Sequence, residues 1–220
     1  LNWMLCNTSF ELNAKAQENL FKALMSYNIL SYDFELANGL MGRFPQNTTP
    51  LATFRSSYAY LYLTNPTLFL EAGQEFTRLW NRSTTENTKL QKSTILAISL
   101  LHSLGGMDDM MSVIDDNLTP ALDKKGHFGF GYGGLNIHRF DDFMVSQKGT
   151  NKHIWNFENS NTENLYGRYT SAGAMDILLS GNPVSRLASG ISDDGKDWSH
   201  IPGTTVTYLT IENLEVQGKN

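Results

Sequence analysis

The sequence predicts a multidomain protein of the α and β class, in which helices come first along the chain and strands follow. From residue 1 to about residue 104, apolar side chains recur at steps of three and four, the period of a helix that buries one face. From Gly126 onward, glycine, aromatic residues and period-two alternation dominate, which is typical of strands. Helices followed by strands favour two packed units over an alternating α/β sheet.

Four helices are predicted in the first part. Asn13 is a suitable N-cap for the first helix. Thr49-Pro50 and Asn65-Pro66 each join a capping residue to a proline at the first helical position, so the second and third helices should begin there. The fourth spans about residues 88–104 and stops at Gly105-Gly106. The expected apolar faces are Ala16, Leu20, Ala23, Leu24 and Tyr27; Phe54, Tyr58, Leu61 and Tyr62; Phe69, Ala72, Phe76, Leu79 and Trp80; and Leu90, Thr94, Ile98 and Leu101.

An acidic connector and a run of strands are predicted to follow the helices. Residues 107–125 suit a connector that contains a short helix over residues 110–114. We therefore divide the chain into residues 1–106, 107–125 and 126–220. Strands are predicted at residues 127–132, 135–140, 143–148, 153–159, 174–179 and 204–210.

Composition limits the possible functions. Hydrophobic residues make up 40% of the chain and charged residues 18%, as in globular proteins. The net charge of -5 argues against broad capture of nucleic acid, which usually needs a basic face. The most apolar stretch, residues 95–104, is shorter than the roughly 20 residues needed to span a bilayer. The single cysteine, Cys6, cannot form an internal disulfide or a structural zinc site.

The stretch from His153 to Gly173 carries the strongest functional signal. Its alternation predicts a strand that places Glu158 on the face opposite Trp155 and Phe157. A polar loop follows, and then comes Tyr166-Gly167-Arg168-Tyr169, side chains able to hydrogen-bond and stack on a polar ring. The pattern indicates a surface that faces a sugar.

The same residues resemble a known family. Asn156-Phe157-Glu158-Asn159 and Glu163-Asn164-Leu165-Tyr166-Gly167-Arg168-Tyr169-Thr170, followed by Gly173, are similar to the signature of polysaccharide lyase family 8. Gly133-Gly134-Leu135-Asn136-Ile137-His138-Arg139 and Gly42-Arg43-Phe44-Pro45 resemble segments of its broad-specificity chondroitin sulfate ABC lyases. The resemblance covers nearly the whole chain.

The resemblance implies a fold and a reaction. It implies that residues 1–106 are closing helices of an incomplete α/α toroid and that residues 126–220 begin a large antiparallel β-sandwich. It implies β-elimination on chondroitin or dermatan sulfate, with hyaluronan left open as a substrate. The chain would be an internal fragment of a secreted or periplasmic bacterial enzyme, and the rest of the parent polypeptide would be its partner. No cofactor is expected in the fragment, and a divalent cation in the parent protein stays open.

The resemblance also assigns site residues. The family's catalytic arginine matches Arg43 and its glutamate matches Glu158, whereas the catalytic histidine and tyrosine should lie upstream of Leu1. The fragment is therefore expected to be inactive alone. Because the net charge opposes binding of a polyanion, a local positive cleft is needed. The candidates for this cleft are Arg43, Lys148, Lys152, His153 and Arg168. The predicted substrate-binding residues are Lys152, His153, Tyr166, Arg168 and Tyr169.

Plain alternatives remain for each assignment. Arg43 and Glu158 could be solvated surface charges, and Tyr166, Arg168 and Tyr169 could be packing residues. The chain could also be a non-catalytic carbohydrate-binding sandwich with an aromatic platform of Tyr166, Tyr169, Trp155 and Trp198. A structural piece of a hydrolase is a third possibility.

Overall fold

The computed structural model describes residues 2–32, 35–36, 54–82, 99–100, 102–154, 156–159, 164–179, 191–192 and 195–219. The chain divides into two compact units, Leu1–Asn28 with Leu51–Asp123, and Ile29–Pro50 with Lys124–Asn220. The first unit is helical and the second contains an antiparallel sheet. The predicted α and β class is thus confirmed, whereas the assignment of the helices to a toroid stays a prediction.

The described helices of the first unit are α1 (Asn2–Leu5), α2 (Ala14–Ile29), α3 (Arg55–Thr64), α4 (Leu70–Arg82) and α5 (Gly106–Asp115). Asn13 caps α2 as predicted, because its Oδ1 accepts a hydrogen bond of 2.9 Å from the Ala16 amide. Asn65 caps a turn through the Leu68 amide at 3.0 Å, and α4 begins after this turn. Most of the predicted fourth helix, like the Thr49-Pro50 start, lies outside the described residues.

Helices α3 and α4 pack together and form the centre of the first unit. The apolar face predicted for the third helix is confirmed, since Phe69, Ala72, Phe76, Leu79 and Trp80 are all buried. The buried Arg55 donates to the Leu79 carbonyl oxygen through Nε at 3.2 Å and Nη2 at 3.0 Å. Burial lowers the pKa of Arg55. Its two hydrogen bonds to the Leu79 carbonyl oxygen join α3 to α4, which is a structural role. No described helix is both long enough and apolar enough for a bilayer crossing.

The Tyr58 hydroxyl is buried in this unit, 3.0 Å from the Leu24 carbonyl oxygen and hydrogen-bonded to the Asn28 side chain. Burial raises the pKa of Tyr58 well above its usual value of about 10. The folded state therefore binds this proton more tightly than the unfolded state does. The resulting contribution to stability is complete below about pH 10 and falls as the pH rises further.

We expect Tyr58→Phe to lower the free energy of unfolding by about 1–2 kcal/mol at neutral pH, because the Asn28 side chain loses its hydrogen bond to the Tyr58 hydroxyl. Above about pH 10 the variant should lose stability less steeply than the wild type, by up to about 1.4 kcal/mol per pH unit. Urea midpoints followed by circular dichroism at a series of pH values measure both effects. Tyr132→Phe, at a fully exposed ring, is the control. If the stability of Tyr58→Phe and that of the wild type fell in parallel above about pH 10, the expectation would be contradicted.

The second unit is built around one sheet. Its strands are β1 (Ser31–Tyr32), β2 (Glu35–Leu36), β3 (Gly126–Phe130), β4 (Leu135–Arg139), β5 (Met144–Lys148), β6 (Ala174–Leu178), β7 (Ile191–Ser192) and β8 (Gly195–Lys196), and its helix is α6 (Ile211–Lys219). Strands β3 to β6 form a four-stranded antiparallel sheet in chain order, and β1-β2 and β7-β8 form separate pairs. Strands were correctly predicted at residues 135–140, 143–148 and 174–179.

The register of this sheet separates a buried face from an open one. Ile137 lies opposite Phe128 on β3 and Ser146 on β5, and Leu135, Ile137, Met144 and Leu178 are all fully or nearly fully buried. The alternate residues, such as Asn136 and Gln147, are exposed and lie opposite each other. Because side chains alternate between the two faces, the open face carries polar groups across neighbouring strands.

Two predicted strands are wrong. Residues 153–159 form no strand in their described part, because side chains form hydrogen bonds to backbone carbonyl groups that a strand would use. Thr150 Oγ1 donates to the Ile154 carbonyl oxygen at 2.7 Å, and Asn164 Nδ2 donates to the Glu158 carbonyl oxygen at 2.6 Å. Residues 204–210 are irregular as well, although their threonines favour strands. Helix α6 was not predicted. Its signal was Thr210, whose carbonyl oxygen accepts the Leu214 amide at 3.0 Å, followed by Glu212 in the first turn.

Candidate functional site

The turn after β5 presents two of the predicted binding residues. The Asn151 side chain accepts the His153 amide at 2.8 Å, and Asn151 and Ile154 form an isolated antiparallel bridge. These bonds close a tight turn with Lys152 and His153 at its tip, and both side chains are exposed. The turn therefore offers an ammonium and an imidazole to solvent.

Glu158 lies on an exposed, irregular segment, and Asn164 fixes its backbone. Asn164 adopts a positive φ of 55° and donates to the Glu158 carbonyl oxygen at 2.6 Å. Gly167 packs against the same amide so closely that an added Cβ would lie 2.1 Å from Asn164 Oδ1. Asn164, against which Gly167 packs, thus anchors the carbonyl oxygen of Glu158, and both residues are part of the sequence signature.

A short 3-10 helix, Gly167–Tyr169, carries the remaining predicted residues. Tyr169 is only 3% exposed and lies in an apolar cluster with Ala174, Ile201 and Leu214, and its hydroxyl donates to the Thr207 carbonyl oxygen. Tyr166 packs against this cluster and donates to a Glu215 carboxylate oxygen at 3.3 Å. Arg168, between the two tyrosines, is exposed.

The aromatic platform that the binding-module alternative requires cannot include Tyr169. Tyr169 is buried, and Tyr166 and Trp198 pack against the same cluster, with ring centroids 6.5 Å apart. Trp155 lies outside the described residues. The Tyr169 ring is therefore covered by protein, whereas Tyr166 and Trp198 are half-buried.

Arg168 and Tyr169 line a cleft of about 520 Å³, which we call the Arg168 cleft. Its other lining residues are Asn156, Ala172, Thr205, Val206, Thr207 and Leu209. Within the described part of the chain, the buried Asn156 Oδ1 has no hydrogen-bond donor. Because buried acceptors are normally paired, a hydroxyl from a ligand would satisfy this atom. The cleft thus combines an exposed guanidinium with hydrogen-bonding groups.

The structure brings together only some of the predicted residues. Arg168 and Tyr169 share the Arg168 cleft, whereas Lys152 and His153 lie on the turn after β5. Arg43 lies outside the described residues, so its approach to Glu158 stays a prediction. Asn156, Thr205 and Thr207 were not singled out from the sequence. Asn156 belongs to the signature motif, but the two threonines were assigned to a strand that does not form.

Two further groups have altered acidities. A hydrogen bond from His200, with Nδ1 2.8 Å from Asp197 Oδ2, holds the pKa of the Asp197 carboxyl below its usual value. Burial lowers the pKa of Lys148, whose ammonium donates to the Gly133 carbonyl oxygen. Within the ranges that the structure describes, no three histidine, cysteine or acidic side chains are grouped as metal ligands.

Comparisons with known proteins place these residues in context. Residues 125–219 match the model described as polysaccharide lyase family 8, super-sandwich domain. The chain is 28% identical over 215 residues to a chondroitin sulfate ABC endolyase of Proteus vulgaris. This match covers 98% of this chain and 18% of the relative.

Solved structures of the same kind share the fold. A xanthan lyase of Paenibacillus matches with a TM-score of 0.69 and 18% identity, over 96% of this chain and 20% of that one. A chondroitin AC lyase of Streptomyces coelicolor A3, solved in complex with chondroitin sulphate, matches with a TM-score of 0.69 and 17% identity. This match covers 96% of this chain and 29% of that one. The chain therefore spans less than a third of each of these relatives. The resemblance to polysaccharide lyase family 8 that the sequence motifs predicted is confirmed.

Proposed function

We propose that this chain, which resembles polysaccharide lyase family 8, forms part of an enzyme that depolymerises chondroitin and dermatan sulfate by β-elimination. The observation that carries the proposal is its 28% identity to the chondroitin sulfate ABC endolyase, which extends over 98% of the chain. Because this likeness includes both units, it supports the proposal for the helical residues and the sheet residues alike.

The proposed reaction defines what the site must supply. A base removes the proton on the carbon next to the uronate carboxylate, and the glycosidic oxygen leaves from the neighbouring carbon, so that a carbon–carbon double bond forms. Negative charge builds up on the carboxylate before the bond breaks, and fixed donors or cations must stabilise it. We assign this task to Arg43, since a guanidinium stays charged and can hold two oxygens in one plane.

Glu158 is assigned a positioning role beside the arginine or the catalytic tyrosine, through charge-assisted hydrogen bonds. Support comes from the way Asn164, against which Gly167 packs, anchors the carbonyl oxygen of this residue. A carboxylate that orients another group needs a constrained backbone, because small displacements in a site reduce its rate. Its matched position in the family motif gives the same assignment.

We further propose that the chain alone does not catalyse the reaction. It spans 18% of the length of the endolyase, and the catalytic histidine and tyrosine expected from the family have no matching motif in it. The parent protein would supply both groups. We also propose that the parent is secreted or periplasmic, acts on an acidic polysaccharide and has hyaluronan as a further possible substrate. A divalent cation in the parent stays an open part of the proposal.

The test of this function is the product formed by the parent protein. Elimination leaves an unsaturated uronate at the new non-reducing end, which absorbs in the ultraviolet, whereas hydrolysis leaves no such bond. We expect the parent to generate this absorbance from chondroitin sulfate and the 220-residue chain to generate none. Chain cleavage without the absorbance would show a hydrolase, and no cleavage by the parent would remove the proposal.

A smaller effect is expected at the Arg168 cleft. In the parent protein, Arg168→Ala should raise the KM for chondroitin sulfate about tenfold with little change in kcat, because an exposed guanidinium binds the polyanion equally in the ground and transition states. Initial rates over a range of substrate concentrations measure this separation. Lys15→Ala, at an exposed cation on α2, is the matched control. A fall in kcat at unchanged KM would contradict a binding role.

A further inference from the structure

A second cleft lies at the end of the four-stranded sheet, where β3 leads into β4 and where β5 ends. It has a volume of about 650 Å³, and we call it the hairpin cleft. Five of its lining residues are glycines, Gly129, Gly131, Gly134, Gly149 and Gly173. Glycine has no side chain that could fill the cleft, and at Gly131 no atom lies within 4 Å of the position of an added Cβ. The volume falls within the range of sites that hold small organic ligands.

Two amide side chains line this cleft together. Asn136 on β4 and Gln147 on β5 lie directly opposite each other, and both are exposed. Neither side chain has a hydrogen-bond partner among the described residues. Each amide has two donor hydrogens and an oxygen acceptor, so the pair can bind neighbouring hydroxyl or acetamido groups of one sugar ring.

An exposed aromatic residue is adjacent in sequence to a lining residue of the same cleft. Tyr132 follows the cleft residue Gly131 in a 3-10 helix, Gly131–Gly133, and its side chain is fully exposed. Large aromatic rings usually bury most of their surface, and tyrosine is suited to a surface with one apolar and one polar partner. The C–H face of a pyranose is such a partner.

The charges around the cleft suit an acidic chain. The turn that contains Asn151 and Ile154, both of which line the cleft, carries the exposed Lys152 and His153. None of the residues that line the cleft, all within the described part of the chain, is acidic. A uronate next to the bound sugar could therefore approach the Lys152 ammonium, and no carboxylate in the lining would repel it.

We propose that the hairpin cleft is a saccharide-binding subsite, separate from the Arg168 cleft, in which Asn136 and Gln147 bind one pyranose of an acidic polysaccharide and Tyr132 packs on its C–H face. The choice of polysaccharide rests on the proposed function, whereas the geometry of the cleft and of its two amides is independent of that function. The subsite would hold a sugar unit of the chain without taking part in bond cleavage.

The test uses the 220-residue chain and an unsulfated chondroitin tetrasaccharide followed by NMR. We expect the backbone amide signals of Gly129, Gln147 and Gly149 to shift on titration with weak affinity, a Kd of about 1 mM. Gly131→Leu should weaken binding at least about tenfold, because a side chain added there extends into open space beside the cleft. The double variant Asn136→Ala/Gln147→Ala should weaken it similarly.

Matched controls separate a blocked cleft from a damaged fold. Gly133→Leu changes the same helix, also has no atom within 4 Å of an added Cβ, and lies outside the lining of the cleft, so it should bind as the wild type does. The inference is overturned if the cleft signals do not shift, or if Gly131→Leu and the double variant both bind normally.

The outcome is distinguishable from the fate of the proposed function. An unsaturated product from the parent, with no shift at the hairpin cleft, would remove only the subsite. Shifts at the cleft, with no unsaturated product from the parent, would leave saccharide binding in place and remove the lyase.

Discussion

In the proposed parent lyase, Glu158→Ala is expected to lower kcat on chondroitin sulfate by about 10²- to 10⁴-fold, the usual contribution of a positioned acid–base group. The reason is that the arginine or tyrosine it positions would lose its charge-assisted hydrogen bond. Arg43→Ala should cause a loss of similar size, because the developing charge on the uronate would lose its cation. Initial rates of ultraviolet absorbance measure both.

A double-variant cycle tests whether the two residues act together. Groups that work as a unit give strongly non-additive losses, so Arg43→Ala/Glu158→Ala should be little worse than the more damaging single variant. Glu18→Ala, at an exposed carboxylate paired with Lys15 and Lys22, should leave turnover unchanged. Unchanged turnover in both single variants would remove the site assignment, and fully additive losses would place the two groups in independent roles.

The second large effect is expected on stability, at Gly134. This residue ends the turn between β3 and β4 with a φ of +59°, and an added Cβ would lie 2.4 Å from the Gly149 carbonyl oxygen and 3.1 Å from Ile154 Cγ2. We expect Gly134→Val to lower the free energy of unfolding by about 3 kcal/mol or more. The left-handed conformation alone costs about 1–2 kcal/mol for a residue with a side chain, and the backbone of Gly149 must also move.

Moving Gly149 would weaken a specific bond. Its amide donates to the Gly134 carbonyl oxygen at 2.7 Å, which joins the hairpin to the turn after β5. Denaturant midpoints followed by circular dichroism should therefore fall for Gly134→Val, and amide exchange should increase at Gly149. Gly131→Ala, with open space around its Cβ, should be close to neutral. Equal denaturant midpoints for Gly134→Val and Gly131→Ala would show that the hairpin accommodates the valine without loss of stability.

Much of the fold could be predicted because local signals and burial agree. The cap at Asn13 and the apolar face from Phe69 to Trp80 predicted helical residues that the structure contains. The alternation around Ile137 correctly predicted β4. The strand predicted at residues 153–159 failed, because apolar alternation does not reveal that the side chains of Thr150 and Asn164 bind the backbone there.

The candidate site was less predictable, since burial depends on distant residues. Tyr169 is only three residues from Tyr166 in a polar motif, yet its ring is buried by Ile201 and Leu214. The sequence could not show that these later residues cover it. Asn156 was visible as a member of the signature, but only the three-dimensional structure shows that no described residue donates a hydrogen bond to its Oδ1.

The glycines of the hairpin differ in how freely they can change during evolution. Gly131 and Gly133 have empty space where a side chain would begin, whereas Gly134 is held by its positive φ and by Gly149. Gly131 lines the hairpin cleft, so replacements there could alter the proposed ligand preference without loss of the scaffold, whereas replacements at Gly133 should change neither. Gly134 should accept almost no replacement in any lineage that keeps this turn.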